Sequence, residues 1–267
     1  MHTILTTDQV EERERFAYWR EIIFDVFVQL DASQLFRQPF TGRIETGSLG
    51  DIQISEVSAD PQCVVRSNCQ IAKSKEDYLL VNLQTSGQGY IGQDRREANL
   101  QQGDFVLYDS TRPFTMHFEQ PFRQIVFQFP RSLMLARCGQ AKGITSVRIP
   151  GTQNPVGALV STFLNSVASS YLYLDPVTRA QVAEISLDLL AVAPSTVSNA
   201  KLNEPSSMAN VYRSGARTFI SARLADPSLA PSLVATPPCL RQKMKRARFT
   251  AYQKARIAKL GGLYLPL

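Results

Sequence analysis

The stretch Tyr78-Leu79-Leu80-Val81-Asn82-Leu83-Gln84 alternates as a β-strand does, with successive side chains on opposite faces. Its odd-numbered residues, two leucines and a valine, form an apolar face. The other face carries Asn82 and Gln84 beside Tyr78 and Leu80. These two amides are candidate ligand contacts inside a β-domain, although solvent-facing strand residues would give the same pattern.

Further short strands surround this stretch. The segment 52–57 alternates in the same way, and apolar segments at 105–108, 114–118 and 122–129 lie between turn signals about ten residues apart. No helix long enough for a parallel crossover interrupts the region between Phe40 and Pro130. The pattern therefore predicts an antiparallel sandwich or barrel, within a chain of the α+β class.

Helices are predicted on both sides of the strands. Residues 6–30 predict an amphipathic helix, whose apolar face includes Trp19; we interpret this side chain as packing the helix onto the β-domain rather than as a ligand contact. Asn154-Pro155 and Asp175-Pro176 each combine a capping residue with proline at the first helical position. They predict an antiparallel helical pair, in which the following residues are candidates for dimerisation: Leu159, Phe163, Val167, Leu187 and Leu190.

The end of the chain differs in composition from the rest. Residues 194–210 are rich in Ser, Asn and Pro and predict a linker, and residues 211–235 predict one helix and the start of another. Residues 236–267 contain eight Lys or Arg and no Asp or Glu, and they account for the net charge of +6, because the preceding residues sum to about −2. Their cations could neutralise DNA phosphates, but we favour a solvated tail.

Composition limits the remaining classes of function. The 267 residues contain no apolar run near the roughly 18 residues that span a bilayer, and the polar N-terminus does not resemble a secretory signal. The four cysteines form no C-x-x-C pair, so we expect reduced thiols in a cytoplasmic protein. His2 and His117 are the only histidines, too few for a cupin-type metal site. We therefore expect no cofactor and no enzymatic activity.

The assembled motifs resemble the AraC/XylS family of bacterial transcription regulators, in the subgroup with an AraC-type ligand-binding domain of the second kind. The resemblance runs from about residue 7 to residue 235. It is carried by the following segments: 13–19, 78–84, Gly87, Gly89, Gln93-Asp94, 100–114 (LQQGDFVLYDSTRPF) and Phe129-Pro130-Arg131. Within them, Gly103 is expected to supply a turn, and Asp109 to accept hydrogen bonds from turn amides before Pro113.

The resemblance implies a domain order. Residues 1–193 would form a sensor, with a cupin-like antiparallel β-barrel at about 36–130 and dimerisation helices at about 155–193. A linker at 194–210 would lead to a remnant of a helix-turn-helix DNA-binding domain at 211–235. The resemblance also implies a small-molecule effector, which we expect to be aromatic or a carboxylate, and Arg66 could bind a carboxylate if it points inward.

The family pattern does not continue past Ala235. In place of a glycine turn and a serine-capped recognition helix, the chain continues Thr236-Pro237-Pro238-Cys239 and then becomes basic. We hypothesise that residues 236–267 are a frameshifted tail on a truncated regulator, a hypothesis that fails if no other reading frame restores the helix-turn-helix units. Residual DNA contacts would fall on these side chains: Arg241, Lys243, Lys245, Arg246 and Arg248.

Three functions remain open from the sequence. The first is a homodimeric, effector-responsive transcription regulator whose specific DNA binding is impaired by the altered C-terminal segment. The second is a sensor and dimerisation protein that does not bind DNA and antagonises an intact paralogue. The third, disfavoured by the two histidines, is a cupin-type enzyme.

Overall fold

The computed structural model describes residues 2–36, 38–74, 76–138 and 145–193. Two antiparallel sheets pack face to face and are followed by helices. The strands are β1 Thr3–Thr6, β2 Asp31–Gln34, β3 Gly42–Leu49, β4 Ile52–Ala59, β5 Gln62–Arg66, β6 Tyr78–Ser86, β7 Gly89–Gln93, β8 Arg96–Leu100, β9 Phe105–Asp109, β10 Phe114–Phe118 and β11 Phe122–Pro130. The α-helices are α1 Arg15–Val26, α2 Asn68–Ile71, α3 Arg131–Cys138, α4 Pro155–Ser170 and α5 Pro176–Val192.

The strands form a six-stranded sheet and a five-stranded sheet. The first has the order β1-β3-β4-β11-β6-β9, and the second has the order β2-β5-β10-β7-β8. Every strand pair in both sheets is antiparallel. The predicted α+β class and the antiparallel pairing are therefore confirmed, in the form of a two-sheet, cupin-like sandwich.

Two apolar cores lie on opposite faces of the six-stranded sheet. The helix-side core lies between that sheet and α3, α4 and α5, and it includes Leu79, Phe127 and Leu164. The inter-sheet core lies between the two sheets and under α1, and it includes Leu80, Phe114 and Trp19. Strand β6 contributes to both cores because alternate side chains point to opposite faces. Both faces of the stretch 78–84 are thus covered.

The N-terminal region departs from the single helix predicted for residues 6–30. Residues Thr3–Thr6 instead pair with β3 as an edge strand, and a 3-10 turn follows at Thr7–Gln9. The helix itself is confined to Arg15–Val26. Trp19 lies on its buried face, as expected, and the helix approaches the sheet closely: a Cβ atom at Gly42 would lie 2.5 Å from the indole ring.

Several local predictions are confirmed. The Asn154 side chain accepts a hydrogen bond from the Gly157 amide and begins α4, and Asp175 caps α5 in the same manner. Gly103 has a φ of +88° in the turn before β9. None of the described helices is long and apolar enough to cross a bilayer. The predicted linker, the helix-turn-helix remnant and the basic tail lie outside the described residues.

Candidate functional site

A narrow cleft lies inside the inter-sheet core. The space free of protein atoms around it, including its mouth, is about 450 Å³. Side chains from both sheets, from α1 and from the segment after α1 line it: Trp19, Ile23, Phe27, Val28, Leu30, Val57, Gln62, Val64, Leu80, Tyr108, Phe114, Met116, Phe118, Phe122, Gln124 and Val126. In this conformation only a few water molecules would fit between them. A larger ligand requires the covering side chains to move.

The described residues that line the cleft carry no formal charge. Thirteen are apolar or aromatic side chains other than tyrosine, and the polar ones are Gln62, Gln124 and Tyr108. Burial raises the pKa of Tyr108, because the phenolate would lose its hydration, so this hydroxyl stays neutral. Tyr108 also contacts Phe114 edge to face, with ring centroids 4.9 Å apart. The cleft is therefore suited to uncharged ligands.

A buried hydrogen-bond chain runs along one wall of the cleft. The Tyr108 hydroxyl donates to Asn82 Oδ1 at 2.8 Å, and Asn82 Nδ2 donates to Gln124 Oε1 at 2.9 Å. Asn82 is fully buried and is satisfied on both sides of its amide. These two hydrogen bonds fix the position of Gln124, whose amide is part of the cleft lining.

A second hydrogen bond crosses from α1 to the five-stranded sheet. Trp19 Nε1 donates to Gln62 Oε1 at 2.8 Å, and both side chains are buried. Because an indole N–H can only donate, it fixes the orientation of the Gln62 amide. Nε2 of Gln62 and Nε2 of Gln124 have no hydrogen-bond partner within the described ranges. Two N–H donors on facing sheets thus remain available at the cleft.

Arg66 is buried but does not line the cleft. Its Nε donates to the Ser110 carbonyl and its Nη1 donates to the Gln29 carbonyl, each at 2.7 Å. Burial lowers the pKa of Arg66, and the nearby Asp77 carboxylate opposes that shift. The guanidinium thus ties the segment after α1 to the turn between β9 and β10. Carboxylate binding by Arg66 stays a prediction, and its observed contacts are structural.

The two amides of β6 are both buried, so their interpretation as solvent-facing residues is wrong. Their strand face points to the other sheet rather than to water. Asn82 supports the lining through Gln124, as described above. Gln84 donates from Nε2 to the Ser86 carbonyl, and its Oε1 is buried without a hydrogen-bond partner in the described part of the chain. Neither amide is itself part of the cleft wall.

The candidate dimerisation residues need correction. Val167, Leu187 and Leu190 are buried in the helix-side core, because the apolar stripes of α4 and α5 pack against the six-stranded sheet. They cannot reach a partner subunit in this conformation. Phe163 is partly buried against the same core, and Leu159 is 58% exposed. The candidate DNA contacts Arg241, Lys243, Lys245, Arg246 and Arg248 lie outside the described residues.

The segment that follows β9 has a structural role. The buried carboxylate of Asp109 accepts hydrogen bonds from the Thr111 amide and hydroxyl, at 2.9 Å and 2.7 Å. It also forms ion pairs with Arg112 and Arg131. The expected turn-stabilising role of Asp109 therefore matches the geometry, and these charges lie outside the cleft wall.

Metal-binding groups are not clustered in the described ranges, which contain no set of three or more His, Cys, Asp or Glu side chains suited to a metal ion. His117 lies in β10 of the five-stranded sheet, and its Nε2 atom is 3.3 Å from Oε1 of Glu119, which follows that strand. The geometry of this part of the chain offers no coordination site of the kind that a cupin-type metal enzyme requires.

Comparisons with known proteins identify the family of the domain. Residues 19–193 match the family described as the AraC-binding-like domain. An uncharacterized protein in the nit 5′ region of Bacillus sp. (strain OxB-1) is 66% identical over 234 residues, covering 88% of this chain and 91% of that protein. The transcriptional activator NphR of a Rhodococcus species is 26% identical over 191 residues, which are 71% of this chain and 57% of NphR.

A solved structure supports the fold. The crystal structure of the AraC-like transcriptional activator CuxR superposes with a TM-score of 0.66 at 17% identity, covering 88% of this chain and 83% of that one. The match to the domain family covers most of the described sheets and helices, including the cleft and the two helices that follow it. The chain therefore belongs to the AraC-binding-like domain family, the effector-binding domain related to AraC-type transcription regulators.

Proposed function

We propose that this chain is the sensor of an AraC-type transcription regulator, in which a small molecule binds in the inter-sheet cleft. The observation that carries the proposal is the cleft itself: apolar walls with two unpartnered amide donors, inside a domain of an effector-binding family. Helix α1 and the segment after it supply five of its lining residues, Trp19, Ile23, Phe27, Val28 and Leu30. A ligand that separates these residues from the sheets would move α1, which couples binding to a change in conformation.

Action on DNA is the second element of the proposal. NphR and CuxR are named as transcriptional activators, and this chain is similar to NphR in sequence and to CuxR in fold. The sequence after Ala235 does not follow the helix-turn-helix pattern, so we propose weak sequence-specific binding. A pull-down of fragments of the source genome by the full chain at physiological salt tests this, followed by gel shifts with salt titration. Equal affinity for every fragment with a steep salt dependence would contradict specific regulation.

The alternative is a sensor that antagonises an intact paralogue without binding DNA. It is favoured by the same departure from the helix-turn-helix pattern after Ala235. In that case the pull-down enriches no fragment, and the chain lowers the DNA binding of an AraC-type paralogue when the two are mixed. Enrichment of discrete fragments by this chain alone would contradict the alternative.

Self-association is the third element, and we propose a surface for it that differs from the buried stripe. Val177, Ile185 and Val192 of α5 are 68%, 47% and 54% exposed. Their spacing of eight and seven residues places them on one helical face. Analytical ultracentrifugation should show a dimer of the full chain, which the double substitution Val177→Glu and Ile185→Glu converts to a monomer. The exposed turn substitution Gln102→Glu is the control and should leave the dimer intact.

A further inference from the structure

We propose that the inter-sheet cleft selects an uncharged compound with a single aromatic ring and one hydrogen-bond acceptor. This inference rests on the proposed sensor function and specifies the class of its effector. It chooses between the aromatic compounds and the carboxylates that the sequence left open. Three features of the cleft carry it: the charge of its walls, the kind of side chain that forms them, and the two amide donors.

The walls exclude a charged ligand. None of the described lining residues is a cation that could neutralise a carboxylate, and Arg66, the nearest candidate from the sequence, already donates to the Ser110 and Gln29 carbonyls. A carboxylate that enters an apolar site without a cation loses its hydration and gains no ion pair. The same argument excludes an ammonium group, because no Asp or Glu belongs to the described lining.

The walls favour a flat aromatic ring. Six aromatic side chains surround the cleft: Trp19, Phe27, Tyr108, Phe114, Phe118 and Phe122. Phe118 and Phe122 stack with ring centroids 3.7 Å apart, so the cleft already accommodates rings in parallel contact. A planar ring can stack on the exposed side of such a face, and it needs a smaller displacement of the covering side chains than a bulkier aliphatic group does. Because the cleft is narrow, we infer a ligand with a single ring rather than a fused ring system.

The polar atoms define the remaining group on the ligand. Nε2 of Gln62 and Nε2 of Gln124 belong to side chains that are 2% and 6% exposed, and neither nitrogen has an acceptor in the described ranges. Their Oε1 atoms already accept from Trp19 and Asn82. A ligand acceptor such as a carbonyl oxygen would accept hydrogen bonds from these donors, because both amides belong to the cleft lining. A ligand that lacks an acceptor would leave them unpaired.

Four probes of nearly equal size test each feature separately. Acetophenone has the ring, the acceptor and no charge; benzoate adds the charge, cyclohexyl methyl ketone replaces the ring, and α-methylstyrene removes the acceptor. Binding to the full chain is followed by the NMR signal of the indole N–H, which is unique because Trp19 is the only tryptophan. We expect acetophenone to bind at least about tenfold more tightly than benzoate, because the carboxylate would be buried unpaired.

Two variants test the donors. Gln62→Met and Gln124→Met each replace the amide by an uncharged side chain of similar length that has no N–H donor, and each should weaken acetophenone binding by about five- to tenfold while leaving α-methylstyrene binding unchanged. Gln102→Met, in an exposed turn, is the matched control and should leave binding of both probes unchanged. Thermal unfolding of each variant shows that the domain remains folded.

The outcomes separate this inference from the sensor function. Equal or tighter binding of benzoate would overturn the selection against charge and leave a ligand-binding sensor in place. Binding of α-methylstyrene as tight as that of acetophenone would overturn the role of the donors, and equal binding of the cyclohexyl ketone would overturn the need for a ring. If none of the probes binds, the inference fails as a whole, whereas the DNA pull-down decides the regulatory function independently.

Discussion

The two cores on opposite faces of the six-stranded sheet differ in what they bury. The helix-side core is built from apolar side chains, such as Phe127 and Leu164, packed between the sheet and the helices. The inter-sheet core is interrupted by buried amides and by the cleft, although the six-stranded sheet supplies side chains to both cores. Close packing contributes stability, whereas a cleft with unpaired donors forfeits some of it. The comparison agrees with our proposal that one face of the sheet supports the domain and that the ligand binds at the other face.

The largest expected effect compares one phenylalanine from each core. Phe127→Ala, in the helix-side core, should lower the free energy of unfolding by about 3–5 kcal/mol, because it leaves a void in packed surroundings. Phe114→Ala should lower the free energy of unfolding by less, since this side chain borders the existing cleft, where the packing is already incomplete. Urea unfolding followed by circular dichroism measures both. An equal or larger cost for Phe114→Ala would remove the distinction between the cores.

The next effect concerns the tie between the segment after α1 and the sheets. Arg66→Met should lower the free energy of unfolding by about 3 kcal/mol, because the Ser110 and Gln29 carbonyls lose charge-assisted hydrogen bonds. It should also change the environment of Trp19, since the released segment covers the cleft. Arg123→Met, at an exposed position of β11, is the control. If Arg66→Met and Arg123→Met lower the free energy of unfolding equally, Arg66 does not hold the segment after α1.

A smaller effect is expected from the hydrogen-bond chain of the inter-sheet core. Asn82→Ala should lower the free energy of unfolding by about 2 kcal/mol, because it leaves both the Tyr108 hydroxyl and the Gln124 amide oxygen without their hydrogen-bond partner. Tyr108→Phe removes only the terminal hydroxyl and should cost about 1 kcal/mol. The two substitutions in one protein should not be additive, since the residues are in direct contact. A double-mutant cycle in urea measures these free energies of unfolding. Additive losses would mean that the hydrogen bonds from Tyr108 to Asn82 and from Asn82 to Gln124 are not coupled.

The smallest effect is a pH dependence at the edge of the inter-sheet core. Burial and a hydrogen bond to Glu76 raise the pKa of Tyr78 from its usual 10 to about 12. The folded state therefore retains this proton more strongly than the unfolded chain, and the stability it contributes is lost as pH rises from about 10 to 12. Tyrosinate absorbance during an alkaline titration measures the pKa. Tyr78→Phe should remove the absorbance change near pH 12, and an unchanged titration curve would contradict the raised pKa of Tyr78.

Parts of the fold could be predicted from local sequence because their causes are local. The alternation at 78–84, the turn glycine Gly103 and the caps Asn154 and Asp175 each depend on a few neighbouring residues. Residues Thr3–Thr6 could not be assigned in this way, because their strand conformation comes from pairing with β3, some forty residues away. The start of the predicted helix at residue 6 was wrong for the same reason.

The candidate site was harder to predict. The sequence predicts Arg66, Asn82 and Gln84 as ligand contacts because they are polar residues of a β-domain; all three are buried, but none lines the cleft. The lining amides Gln62 and Gln124 have no local signature, and the position of Trp19 on an apolar helix face indicates a packing residue. A buried glutamine that faces a cleft and one that only supports a turn look identical in sequence. Only the position of the partner strands distinguishes them.

The sequence by itself determined the antiparallel character of the domain, the helical pair, the family resemblance and the charge asymmetry of the chain, because these depend on spacing and composition. The tertiary structure decided which side of each strand lines the cleft and where the apolar stripes of α4 and α5 pack. Contacts such as Trp19 to Gln62 join residues 43 positions apart. The geometry of the cleft depends on such contacts between residues far apart in the sequence, whereas secondary structure depends largely on residues that are close in the sequence.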